Sequence, residues 1–164
     1  MKSFSRFRSL LIVGFSALVL AACSRDPSAR KQKYFDSGQR YFAAGKYRQA
    51  AIEFKSAIQL DSGFAAAHYQ LAQTYLRLGD GQHAYLETAQ TLEFQPDNYK
   101  AHGDIANMLA ADYASTSNSS DLPAAREHID LLLKKQPNDP DTHLTMANLL
   151  NAQQKYREAM EESQ

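Results

Sequence analysis

Adding 34 to a residue number in this chain repeatedly lands on a residue of the same kind. Tyr34, Gly38, Tyr41, Ala50, Phe54 and Ala57 become His68, Ala72, Tyr75, Ala84, Thr88 and Thr91, and Ser62 becomes Pro96. A third copy opens at His102, Ala106 and Leu109 and resumes, after seven extra residues, at Ala125, Ile129, Leu132 and Pro137. A fourth opens at His143, Ala147 and Leu150 and reaches Ala159. A period of this length marks a supersecondary unit that cannot bury its apolar face alone and does so by stacking on its neighbours. It limits the possible folds more tightly than composition does.

Each slot has a steric meaning. Gly38, Ala72, Ala106 and Ala147 are small where two helices must cross closely, and Ala50, Ala84, Ala125 and Ala159 do the same for a second helix. Tyr41, Tyr75, Leu109 and Leu150 fill the space between. Gly45 and the Gly79-Asp80-Gly81 run suit a tight interhelical turn, where glycine accepts positive φ at no steric cost. Pro96 and Pro137 are placed to end second helices, and Asp139-Pro140 reads as an N-cap followed by a first-turn proline. No segment alternates with the period of a strand. An all-α fold is expected.

The period and its small-residue spacing resemble the tetratricopeptide repeat (TPR) over about residues 31–164. That resemblance implies an α-α superhelix, a right-handed solenoid of antiparallel hairpins, with repeats at about 31–64, 65–98, 99–139 and 140–164. Three features depart from the family pattern. Histidine replaces the first-helix aromatic at His68, His102 and His143, Ser62 stands where proline is usual, and a polar stretch from Ala114 to Asp121 replaces the short turn of the third hairpin. The stretch reads as a mobile loop, with Asp121 and Pro123 restarting the helix. Residues 155–164 read as the start of a second helix, with no polar-faced capping element after them, so further repeats are expected beyond residue 164.

The resemblance also implies a concave groove lined by first helices and suited to an extended peptide. By spacing, Gln39, Gln73, Asn107 and Asn148 fall on it, all carboxamides able to donate and to accept. Neighbouring groove positions are Phe35, Phe42, Tyr69, Leu76, Arg77, Lys100 and Leu144. The aromatics suit apolar anchoring, and Arg77 with Lys100 suits a carboxylate.

The N-terminus carries a different message. Lys2, Arg6 and Arg8 precede an apolar run from Leu10 to Leu20, which is the layout of a secretory signal and too short for the ~20 residues that span a bilayer. Leu20-Ala21-Ala22-Cys23 resembles the lipobox of bacterial lipoproteins, which implies cleavage after residue 22, lipidation of Cys23 and a linker over residues 23–30. Ser24 then implies an outer-membrane address facing the periplasm. Cys23 is the sole cysteine, so the mature domain has no disulfide. The whole chain balances 18 basic against 18 acidic residues, but loss of the three basic residues of the leader leaves a charge of about −3. Such a surface has no electrostatic reason to seek nucleic acid.

Chemistry is sparse. Repeat-related histidines are a hairpin apart, roughly two packing steps of ~8–10 Å, whereas zinc needs nitrogens at about 2.0–2.1 Å. They are expected instead to pack their ring faces while a nitrogen reaches a polar atom. No His-Glu-x-x-His, phosphate-cradling loop, Gly-x-Ser-x-Gly or cysteine nucleophile is present, so neither metal, cofactor nor catalysis is expected. The function expected is a lipid-anchored scaffold holding a protein or peptide partner in cell-envelope assembly or export. The opening after Cys23 looks most like the TPR lipoproteins of PEP-CTERM exopolysaccharide systems. The alternatives are an assembly role through the convex face or self-association, and the anchored non-catalytic part of a longer enzyme.

Overall fold

The computed structural model describes residues 26–162, which form eight α-helices and no strand. The expected leader, Cys23 as the expected lipidation site and the first residues of the expected linker lie outside the described residues. Two compact units divide the chain, one ending at Gly63 and the other beginning at Phe64.

The first unit is one hairpin, α1 (Pro27–Ala43) and α2 (Tyr47–Leu60). Helix α1 begins earlier than the repeat boundary at residue 31, taking residues 27–30 out of the expected linker. The cause is local: Asp26 caps the helix by accepting from the Ser28 amide at 2.9 Å, and Pro27 needs no amide partner in the first turn. Gly45, at φ +70°, turns the chain, and the Lys46 amide donates to the Tyr41 carbonyl at 2.9 Å. Between the helices, fully buried Phe54 lies against Gly38 so closely that a Cβ on Gly38 would sit 2.5 Å from its ring.

The second unit holds α3 (Ala65–Leu78), α4 (Gly81–Phe94), α5 (Tyr99–Thr116), α6 (Asp121–Lys135), α7 (Pro140–Ala152) and α8 (Tyr156–Glu162). Asp80, Asn98 and Asp139 cap α4, α5 and α7. Pro96 and Pro137 stand just past the ends of α4 and α6, as their inability to continue a helix requires. The seam alanines Ala84, Ala106, Ala125, Ala147 and Ala159 are all buried. In the slots of Gly38 and Phe54 the second hairpin carries Ala72 and Thr88 and the third Ala106 and Ile129, a residue smaller than phenylalanine wherever alanine replaces glycine.

The expected loop of the third hairpin is mostly helix. Helix α5 continues through Thr116, because the Ser115 and Thr116 hydroxyls bond back to the Asp112 carbonyl, and only residues 117–120 link it to α6. Asn118 organises that link, donating to Asp121 and accepting from Ser120.

The repeated histidines tie first helix to second. His68 Nδ1 lies 2.7 Å from Glu87 Oε2, nineteen residues on, and its ring stacks on Phe94. His143 Nδ1 lies 2.9 Å from Glu162 Oε2, again nineteen on, and its Nε2 donates to the Pro137 carbonyl at 2.8 Å. In the third hairpin, where the inserted residues lengthen the spacing, His128 stands in the glutamate slot. His102 Nδ1 meets His128 Nδ1 at 2.7 Å, and His102 Nε2 donates to the Pro96 carbonyl at 3.0 Å. Each ring is thus bonded within its own hairpin, and His102 and His143 also to the carbonyl of the proline that closes the preceding one.

Candidate functional site

The first helices of the second unit, α3, α5 and α7, border a cleft of about 630 Å³. Lys100, Asp104 and Asn107 come from one face of α5, where residues three and four apart stack on successive turns. Tyr69 of α3 and Leu144 and Thr145 of α7 line the cleft from either side.

Asp104 is the electrostatic centre. Gln73 Nε2 donates to its Oδ2 at 2.6 Å, and the Tyr69 hydroxyl also bonds to it. Burial pushes the Asp104 carboxyl above the ordinary carboxylate range, while the Tyr69 and Gln73 bonds and the Lys100 charge draw it back. Burial and then the Asp104 charge raise the Tyr69 hydroxyl, so it stays a donor at neutral pH. Asp97, Asp139 and Asp141 also line the cleft, against Lys100 as the cation of the lining, which favours a positively charged occupant.

The carboxamides form a chain between α5 and α7. Asn148 Nδ2 donates to Asn107 Oδ1 at 2.8 Å, and Asn107 Nδ2 donates to Thr145 Oγ1 at 3.3 Å. Part of the ladder's bonding capacity is therefore used internally. A side-chain amide carries two donor hydrogens and an acceptor oxygen, so each retains capacity for a peptide backbone.

The structure brings together Tyr69, Lys100, Asn107 and Leu144 directly, with Gln73 behind them through Asp104 and Asn148 through Asn107. Arg77 is exposed in the last turn of α3 and is not among the residues lining this cleft, so it and Lys100 do not converge there. Leu76 lines a different cleft. In the first unit Gln39 is exposed, but the Phe35 ring packs on Phe54 at 5.7 Å and the Phe42 ring meets Tyr47 edge-on at 5.3 Å. Those two rings serve the hairpin's own packing. Asp104 is not among the expected site residues: its slot holds Asp36, Gln70 and Thr145 in the other repeats, so aspartate stands there in only two of four. Its position one turn after Lys100 was the available signal.

The hairpin geometry has known counterparts. A family model described as TPR repeat matches residues 38–79. Among solved structures, a thermophilic TPR protein of Thermus thermophilus is similar over 81% of this chain and 72% of its own, at 18% identity and TM-score 0.65. The fold is of the tetratricopeptide-repeat type. The second TPR domain of human RPAP3, solved with the HSP70 peptide SGPTIEEVD, matches 78% of this chain and 98% of its own, at 19% identity and TM-score 0.62. The first TPR of Spaghetti (RPAP3), bound to the HSP90 peptide SRMEEVD, matches 82% and 93%, at 19% identity and TM-score 0.59.

Proposed function

We propose that this protein is a lipid-tethered scaffold that holds an extended segment of a partner protein in the cleft of α3, α5 and α7. One observation carries the reading: a cleft crossing three successive first helices presents a half-buried carboxylate, Asp104, beside amides with unused donors and acceptors. Amides grip a backbone whatever its sequence, and the acidic lining selects a segment with a lysine or arginine side chain. The peptides bound by the two RPAP3 domains end in Glu-Glu-Val-Asp, whereas this lining has the opposite preference. The leader and lipobox-like residues ending at Cys23 support a site of action in the bacterial envelope, at the outer membrane facing the periplasm. Assembly or export, with PEP-CTERM exopolysaccharide systems as the nearest resemblance, is the setting proposed.

Peptides selected from a random library against the full chain should be enriched in basic residues. Their affinity should fall about tenfold or more in the Gln73→Ala, Asn107→Ala double variant and in Asp104→Asn, a change equivalent to one or two hydrogen bonds. Acidic consensus peptides, or affinities unchanged in both variants, would reject the groove and favour action through the convex face. For the anchor, fatty-acid labelling of the protein in a bacterial host should be lost in Cys23→Ser; labelling that persists would rule out attachment at that residue.

A further inference from the structure

The charges of this chain are unevenly shared. From Asp26 to Gly63 the first hairpin carries seven basic against four acidic residues, whereas residues 64–164 carry seven against fourteen. Three of the hairpin's cations, Arg30, Lys33 and Arg40, are exposed on α1. At 3.6 residues per turn they fall within an arc of about 80° and run along ~15 Å of the helix. None of the three is in an ion pair among the described residues. The acids beside them are already bonded: Asp26 accepts from the Ser28 amide and hydroxyl, and Asp36 accepts from Gln32 Nε2 at 2.8 Å. Lys31 serves the hairpin itself, reaching Asp61 at 2.6 Å.

The same face is built differently in the later repeats. The slots of Lys33 and Ser37 hold Ala67 and Leu71 in α3, Ala101 and Ile105 in α5, and Thr142 and Met146 in α7, all of them buried. Met146 shows what covers this face: Nη1 of Arg126, from the preceding hairpin, lies 3.8 Å from its Sδ. A first helix covered in that way carries small or apolar residues here. Helix α1 carries cations, whose heads are costly to take out of water without a partner charge. Its outer face therefore suits a wet, negatively charged surface.

Two such surfaces are available, the acidic second unit of another copy and a layer of anionic lipid. Reach decides between them. Asp26 is the third residue after Cys23, so a lipid on Cys23 holds the start of α1 within ~11 Å, about one helix diameter, of the headgroups. A second copy has to be met by diffusion. An acyl anchor alone leaves the domain free to turn, and a basic patch beside it is the second signal that fixes one face to the bilayer.

We propose that the outer face of α1, through Arg30, Lys33 and Arg40, docks on the anionic phospholipid headgroups of a membrane. The proposal takes its nearness to lipid from the anchor of the proposed function and is independent of the cleft of α3, α5 and α7.

The test is flotation with phosphatidylcholine vesicles, with and without phosphatidylglycerol. The full chain carrying Cys23→Ser is used, so that no lipid of its own holds it to the vesicle, and residues 1–22 are common to every chain compared. Phosphatidylglycerol should raise its affinity, and added salt should cancel the gain. In the Arg30→Gln, Lys33→Gln, Arg40→Gln triple variant, affinity for the anionic vesicles should fall about tenfold or more. The Lys134→Gln, Lys135→Gln, Arg157→Gln variant loses the same charge from the second unit and should bind like the parent. Both triples should keep the parent's circular dichroism, since all six side chains are exposed. No effect of phosphatidylglycerol, unchanged affinity in the α1 triple, or an equal loss in the two triples would each overturn the proposal. So would salt-sensitive oligomers formed without vesicles and abolished by the α1 triple, which would give the face to a second copy. Fatty-acid labelling tests the anchor apart from this: a chain that docks on anionic vesicles but takes no label at Cys23 keeps the surface and rejects the anchor.

Discussion

Phe54→Ala is expected to lower the stability of the α1–α2 hairpin by about 3–5 kcal/mol, the usual cost of emptying a fully buried aromatic site. The companion variant is more informative. Gly38→Ala adds one methyl group whose carbon would lie 2.5–2.9 Å from three atoms of the Phe54 ring, and that ring is also hemmed by Phe35. Overpacking of this kind costs about 1–3 kcal/mol. Alanine gains back about 0.8–1 kcal/mol over glycine in a helix interior. In the parent the change should therefore destabilise by up to about 2 kcal/mol. In the Phe54→Ala background the ring is absent, the added methyl enters empty space, and Gly38→Ala should become stabilising. Urea unfolding followed by circular dichroism, with hydrogen exchange of α1 and α2 amides, reads both effects. If Gly38→Ala has the same sign in both backgrounds, the Gly38–Phe54 contact does not set this hairpin's packing.

That contact also shows how the repeats can be read from residues alone. The slots of Gly38, Ala72, Ala106 and Ala147 are small because a second helix passes there, and the buried alanines of α4, α6 and α8 occupy the matching positions. The helix ends were readable where side chains announce them, at Pro96, Pro137 and Asp139-Pro140. The same Asp-Pro signal stands at Asp26-Pro27 and starts α1 there, ahead of the repeat boundary at residue 31. Conformation without a matching residue type was not readable. Gln154 stands in the slot of Gly45 and Gly79 and shares their left-handed backbone, at φ +62°. It closes the same turn, with the Lys155 amide donating to the Leu150 carbonyl at 2.9 Å. Nothing about a glutamine predicts that. The inserted stretch departs from its expected loop for a related reason: serine and threonine favour loops on average, yet here their hydroxyls bond back into the helix they extend. For the cleft, first-helix spacing located Tyr69, Lys100, Asn107 and Leu144 on one wall. It could not show which amides would spend their hydrogens on one another, because that depends on how α5 and α7 approach.

The histidine slot yields the second large effect, since one substitution in one repeat position should behave oppositely in two hairpins. His102 is 8% exposed and bonds both His128 and the Pro96 carbonyl. His102→Ala leaves those partners unsatisfied, at roughly 1–3 kcal/mol for each one kept from water, so a loss of about 2–3 kcal/mol is expected. The His143 side chain is 36% exposed, and water can replace what His143→Ala removes, so its loss should be smaller. The pH dependence separates them further. Burial, and then the His102 charge, hold His128 below the ordinary histidine range against the opposing pull of Glu127. A depressed histidine contributes stability that is present above its unfolded value of about 6.5 and declines as pH falls toward its folded value. Removing His102 relieves part of that depression, so His102→Ala should cost less at low pH than at high pH. His143 is the reverse case: the Glu162 bond first, then the Pro137 carbonyl, raise it above the ordinary range. Its stabilisation is full below about pH 6.5 and is lost as pH rises through the raised value. His143→Ala should therefore cost more at low pH than at high pH. Thermal unfolding of both variants across this range measures the two slopes; parallel slopes would mean that His128 and Glu162, the residues opposite the two rings, do not govern these histidines.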